Sequence, residues 1–96
     1  MRYGPKVVLH CPKGYAIRLD AMVEQFLSDG VIFVGVVGKD CSLVEDIIDE
    51  LVVGDGSIED RFLLTSSHPE ESLEEAIQFA LSLTGEYAGK VQVVEL

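Results

Sequence analysis

Residues 31–37 read VIFVGVV, and this run decides how the rest of the chain is interpreted. The run is rich in β-branched residues, too short for a helix with this pattern, and followed by the breaker sequence Gly38-Lys39-Asp40. These features predict a β-strand. A strand that is apolar at every position, rather than at every second one, is typical of a parallel sheet with both faces covered.

Strands and helices alternate on both sides of this run. Three further segments have the residue types of strands: residues 6–11, 61–65 and 91–96. The first is followed by Pro12 and Gly14, and the second by Ser66 and Ser67. Apolar residues at helical spacing predict helices in the three intervening stretches, at residues 17–27, 44–52 and 73–81. The order β-α-β-α-β-α-β therefore predicts a single α/β domain over residues 1–96 with a four-stranded parallel sheet.

Two features refine this prediction. Ser42 with Glu45, and Ser67 with Glu70, have the spacing of capping boxes at the starts of the second and third helices. Right-handed crossovers leave few strand orders, of which the flavodoxin-like order 2-1-3-4 is favoured. The order 1-2-3-4 is the alternative, because the apolar run 31–37 fits an interior strand better than an edge strand.

The alternation resembles that of the flavodoxin-like and response-regulator receiver class. A receiver would carry an acidic pair after the first strand and an aspartate after the third. This sequence has His10-Cys11 and Thr65-Ser66 at those places. The resemblance therefore concerns the architecture alone, and a receiver-like domain that is not phosphorylated is the third functional hypothesis.

Charge and cysteine content restrict the partners and the compartment. Seventeen acidic and seven basic residues give a net charge of -10, which disfavours nucleic acid and anionic membranes as partners. The longest apolar run is far shorter than the roughly 20 residues of a membrane-spanning helix, and the amino-terminal residues do not have the pattern of a secretory signal. Cys11 and Cys41 have no CxxC spacing. Together these features predict a cytoplasmic protein with reduced thiols.

The segments that follow the predicted strands hold most of the reactive residue types. Ligands bind outside the carboxyl ends of the strands in open parallel sheets. The catalytic candidates at these ends are Cys41, His10 and His68, and the ligand-binding candidates are Lys13, Lys39 and Ser66. Polar residues begin at strand ends in any such domain, so each also has a structural interpretation. For His68, beside Pro69, that interpretation is a cap of the third helix.

No cofactor or metal is predicted from these segments. Neither glycine-lysine pair, Lys13-Gly14 or Gly38-Lys39, matches a nucleotide-binding motif. The cysteines and histidines lack the short ligand spacings of structural zinc sites. His10 and Cys11 are also adjacent on a strand and point to opposite faces.

Three helices cannot fully cover the apolar side chains on both faces of a four-stranded sheet. We expect the uncovered surface to include Phe79, Leu83, Val94 and Leu96, which are the interface candidates. The first functional hypothesis is therefore a non-enzymatic interaction or accessory module that self-associates. The alternative is an enzyme that binds a small molecule or phosphate in the crevice at the strand ends. In its thiol-dependent form Cys41 is the nucleophile and a histidine is its base.

Overall fold

The computed structural model describes residues 3–54 and 63–96, in which strands and helices alternate as predicted. The strands are β1 (Lys6–Cys11), β2 (Phe33–Gly38), β3 (Leu64–His68) and β4 (Val91–Glu95), and the helices are α1 (Leu19–Asp29), α2 (Cys41–Val53) and α3 (Leu73–Ser82). A short 3-10 turn, Gly85–Tyr87, precedes β4. All strand pairs are parallel, which confirms the α/β fold with one four-stranded parallel sheet. Within the described ranges, none of the helices combines the length and apolar character needed to cross a membrane.

The strands lie in the order β3-β2-β1-β4. This order differs from the favoured 2-1-3-4 order and from the 1-2-3-4 alternative, so the sheet is not flavodoxin-like. The physical reason is burial: β1 and β2 are the two most buried strands, and each of the predicted orders leaves one of them at an edge. The observed order makes both of them interior neighbours and leaves the more polar β3 and β4 at the edges.

This order also fixes which helices share a face. The chain steps from β1 to β2 to β3 in one direction and then returns past β1 to β4, so right-handed crossovers put α1 and α2 on one face and α3 on the other. The core under α1 and α2 includes Val7, Leu9, Cys11, Val34, Val36, Cys41, Val44 and Ile48. The smaller core under α3 is made of Val8, Phe33, Val37, Ala76 and Ala80. We call the second face the α3 face.

Lys6 begins β1 and is completely buried on the α3 face. Its Nζ donates a hydrogen bond to the carbonyl oxygen of Ala80 at 2.6 Å. Ala80 lies in the last turn of α3, where the helix dipole favours a positive charge, and its carbonyl oxygen also accepts a hydrogen bond from the Leu83 amide at 3.4 Å. The ammonium group therefore links the start of the sheet to the end of α3.

Gly38 ends β2 at a point where two loops meet. Its φ of 114° lies in the region that favours glycine, and a Cβ atom built there would be 2.5 Å from the carbonyl oxygen of Cys11. The same oxygen accepts a hydrogen bond from the amide of Lys39 at 2.8 Å. The loops after β1 and β2 can approach this closely because residue 38 has no side chain.

The start of α3 differs from the sequence-based prediction. Because β3 pairs with β2 as far as the Val37–His68 match, it extends beyond Thr65, where the sequence pattern ends the strand. Arg61 and Phe62, the start of that predicted strand, lie outside the described residues. The longer strand moves the helix start, so the capping box is formed by Ser72 and Glu75.

The two predicted capping boxes are therefore wrong. Ser67 lies within β3, and Glu70 lies in the following turn with a φ of 63°. In α2 the cap residue is Asp40, which makes no side-chain capping hydrogen bond. Ser42 donates instead to the hydroxyl of Ser67 at 3.4 Å, which joins α2 to β3.

Candidate functional site

The two histidines lie in one row across the carboxyl ends of the strands. The pairing register aligns Glu95, His10, Val37 and His68 on neighbouring strands of the α3 face. His10 Nδ1 lies 3.8 Å from Glu95 Oε2 at the β4 side of this row. The histidines are two strand spacings apart, roughly 10 Å, with buried Val37 between them. They therefore form two separate sites.

The cysteines lie on the other face of the sheet. Cys41 is the first residue of α2, only 3% exposed, and belongs with Cys11 to the core under α1 and α2. Burial raises the pKa of the Cys11 thiol to about 11, and the neighbouring Cys41 adds to this rise. The structure therefore does not bring Cys41 together with His10 or His68, and it does not favour the thiol-dependent hypothesis.

Both thiols are expected to react slowly in the folded protein. Their rate with Ellman's reagent at pH 7 should be at least about tenfold lower than in urea, because burial blocks access to both thiols and raises the pKa of Cys11. Measuring both rates on one preparation gives the comparison directly. A fast reaction of Cys41 in the folded state would restore it as a nucleophile candidate.

The ligand-binding candidates also separate. Lys13 and Lys39 are exposed in the loops after β1 and β2, whereas Ser66 is half-buried on β3. A Cβ atom on Gly14 would meet the Asp40 carboxylate at 3.0 Å, so an acidic group lies between these two loops. Among the described residues, no group of three histidine, cysteine or acidic side chains is placed to hold a metal ion.

A cluster of three side chains on the α3 face joins Ser66 to His68. Ser66 Oγ lies 2.8 Å from His68 Nε2, and His68 Nδ1 lies 3.1 Å from Glu71 Oε2. We call these residues the Ser66 cluster. His68 is only 4% exposed, whereas 40% of the Glu71 side chain is exposed. Sequence reasoning names Ser66 and His68 separately but misses their pairing and Glu71. A third strand that extends to His68 predicts the pairing of Ser66 with His68, because residues two apart on a strand share a face.

Two neighbours shape the space around this cluster. Gly35 pairs with Ser66, and a Cβ atom there would lie 3.4 Å from His68 Nε2 and 3.2 Å from the Phe33 ring. The absence of a side chain at Gly35 therefore leaves room for the imidazole. The ring of Phe79 packs edge-on against His68 with centroids 4.9 Å apart. Phe79 and Glu71 also line a surface groove along this flank of α3, together with Ser72, Glu75 and Gln78.

The interface candidates do not form one surface. Leu83 packs against the core of the α3 face, and Phe79 lies on the β3 side of α3. Val94 packs against the opposite core, where Leu96 is buried. Leu96 is therefore not part of the exposed apolar surface. Its amide donates to the His10 carbonyl oxygen at 2.9 Å, and this hydrogen bond extends the pairing of β4 with β1.

The exposed apolar side chains on the β4 side are different ones. Val93 is 45% exposed, and the register with Val8 places it on the α3 face. Leu81 is 51% exposed and lies about 200° around the helix from Phe79, which directs it towards β4. Partly buried Ile77 and Val91 complete this surface, which we call the β4 patch.

Beside this patch, the outer side of β4 has unpaired backbone groups. The amide of Leu96 points towards β1, and amides in a parallel strand alternate in direction. The amides and carbonyls of Val91, Val93 and Glu95 therefore point away from β1. In the part of the chain that the structure describes, no strand pairs with β4 on that side.

Comparisons with known proteins add a family match to this geometry. Residues 8–95 match the family described as "Domain of unknown function (DUF7684)". The match extends from within β1 to the end of β4 and therefore includes the Ser66 cluster and the β4 patch. No curated protein and no solved structure matches the chain.

Proposed function

The chain belongs to the DUF7684 family, whose description assigns no activity. We propose that it is a self-associating interaction module of the cytoplasm. The observation that carries the proposal is the open edge of β4 with exposed apolar side chains beside it. Unpaired strand edges are templates for pairing with another chain. The proposed partner is a second copy of this chain, which joins β4 to β4.

The backbone of β4 fits a two-fold symmetric pair. The outward groups of Val91, Val93 and Glu95 are at alternate positions, as antiparallel pairing requires. An axis through Val93 would place Val93 opposite Val93 of the second copy, and Val91 opposite its Glu95. Both copies would use the same set of residues, as in most homodimers.

The other edge of the sheet is less suited to self-association. Strand β3 carries Thr65 and Ser67 on the α2 side, and both hydroxyls already bond to α2. Strand β4 is richer in valine, and Val93 and Leu81 expose apolar surface that a second copy would bury. The apolar contribution to association is therefore greater at β4.

The net charge of the chain opposes this association. Two copies that each carry a charge of -10 repel one another, and salt screens the repulsion between exposed charges. We therefore expect the dimer to be strengthened by sodium chloride between about 50 and 500 mM.

The same charge argues against nucleic acid and anionic membranes as partners, and the free thiols of Cys11 and Cys41 support a reducing compartment.

The substitution Val93→Glu tests the proposed interface. It would place two carboxylates directly opposite each other across the two-fold axis, where like charges destabilise strand pairing. Analytical ultracentrifugation over about 5 to 200 µM is expected to show a dimer for the unchanged chain and a monomer for Val93→Glu. Circular dichroism checks that the variant is folded.

The matched control is Val53→Glu, which adds the same charge at an exposed valine at the end of α2. This variant should dimerise like the unchanged chain. A monomeric unchanged chain over the whole range, or a dimer that persists in Val93→Glu, would reject β4 pairing. Equal losses in both variants would show that total charge, rather than the β4 patch, controls association.

A further inference from the structure

We propose that Ser66 is a nucleophile activated by His68 and that the Ser66 cluster hydrolyses small apolar acyl esters. This activity goes beyond the proposed self-association, which uses the opposite edge of the sheet. The basis is the continuous hydrogen-bonded path from Ser66 Oγ to His68 Nε2 at 2.8 Å, and from His68 Nδ1 to Glu71 Oε2 at 3.1 Å. A nucleophile, a base and a group that orients the base, each within hydrogen-bond reach of the next, is the arrangement of activated serines.

Each member has a defined role in this path. The Glu71 carboxylate accepts a hydrogen bond from Nδ1–H of His68, and this tautomer leaves the lone pair of Nε2 facing Ser66. The Ser66 hydroxyl donates to that lone pair, and its oxygen becomes the attacking atom. His68 is therefore the catalytic base, and Glu71 is a positioning residue that acts through His68.

The scaffold holds the base and nucleophile in place. Ser66 and His68 stand two residues apart on β3 and so point to the same face. The Phe79 ring packs edge-on against the imidazole, and Gly35 leaves the space beneath it. Groups held on a strand by packing and hydrogen bonds keep the fixed geometry that catalysis needs.

The surroundings indicate the chemical class of the substrate. Phe79 is 41% exposed and presents an aromatic surface in the groove beside the cluster, which suits an apolar acyl group. Glu71, Glu74 and Glu75 line the same groove and disfavour anionic substrates. The site therefore fits esters with uncharged or cationic leaving alcohols.

A backbone donor is available for the developing oxyanion. The Leu64 amide donates to the carbonyl oxygen of Ile32, the residue before β2, and therefore points towards β2. Amides alternate in direction along a strand, so the amide of Ser67, three residues later, points away from β2. The Ser67 amide directly follows the nucleophile and could donate to the carbonyl oxygen of an ester bound at Ser66. Such donors stabilise the tetrahedral intermediate of acyl transfer.

The reaction balances in two steps. In the first, Ser66 Oγ bonds to the ester carbonyl carbon while its proton passes to His68 Nε2. The carbon–oxygen bond to the alcohol then breaks, and the alcohol leaves with that proton. In the second step water attacks the acyl-serine, its proton passes through Nε2 back to Ser66 Oγ, and the carboxylic acid is released.

The test uses 4-nitrophenyl acetate as substrate and a fluorophosphonate as covalent probe. The probe loses fluoride when the Ser66 oxygen bonds to its phosphorus, and mass spectrometry of peptides locates the adduct. The folded chain is expected to release nitrophenol above the buffer rate and to carry the adduct on Ser66. Ser66→Ala should abolish both, whereas the control Ser28→Ala, at an exposed serine of α1 on the opposite face of the sheet, should leave both unchanged.

Variants of the other members complete the test. His68→Gln is expected to lower the hydrolysis rate by about 100-fold or more. His68 is buried, so Glu71→Gln is a second probe that leaves the core intact and should lower the rate about tenfold. Glu71→Asp keeps the carboxylate and should recover part of that loss, which a purely structural role would not produce. No adduct on the unchanged chain, or equal labelling of Ser66→Ala, would overturn the proposal.

Discussion

The substitution Gly38→Ala is expected to lower the free energy of unfolding by roughly 3 kcal/mol. The new Cβ atom would lie 2.5 Å from the Cys11 carbonyl oxygen, and a φ of 114° is strained for any residue with a side chain. The clashing atom belongs to the backbone, so relief requires the β1 and β2 loops to separate. Urea unfolding followed by circular dichroism at one fixed protein concentration measures the loss.

Gly30→Ala is the matched control for this prediction. Gly30 also has a positive φ, at 81°, but a Cβ atom there would meet nothing within 4 Å. Only the backbone strain remains, so a loss of about 1 kcal/mol is expected. Similar losses for the two variants would show that the contact with Cys11 relaxes without a large energetic effect.

The substitution Lys6→Ala is expected to destabilise the fold by roughly 3 to 5 kcal/mol. It removes a fully buried side chain from beneath α3 and the hydrogen bond to Ala80. Lys6→Met keeps most of the buried volume and loses only the ammonium group, so its loss should be about 1 to 2 kcal/mol. The same urea titration compares both variants. Equal losses would assign the stabilisation to the hydrogen bond rather than to packing.

The element order could be predicted from the sequence because apolar spacing is a local property. The spacing of apolar residues predicts the strand at residues 31–37 and the helices directly. The structure confirms all three helices and the parallel sheet. The strand order could not be predicted with the same security. It depends on which strands compete for the interior, and the apolar character of β2 conflicts with the favoured order 2-1-3-4, which leaves β2 at an edge.

The Ser66 cluster was missed for a related reason. Serine and histidine are not among the residues enriched in strands, so the pattern ends the third strand at Thr65 and makes His68 a helix cap. Pairing with β2 overrides that local preference and carries the strand to His68. The interface candidates lie on different faces for another reason: the face of Val94 and Leu96 can be assigned only when the partner strand of β4 is known.

The pairing of β1 with β4 has a consequence for the order in which the chain folds. Lys6 is paired with Val91, so the interior strand β1 gains its second neighbour only after a long stretch of intervening chain has been synthesised. Closing so long a loop slows folding, and until it closes β1 presents an open edge with Val8 and Leu9 beside it. During synthesis this nascent edge is the part of the chain most prone to pair with the wrong strand.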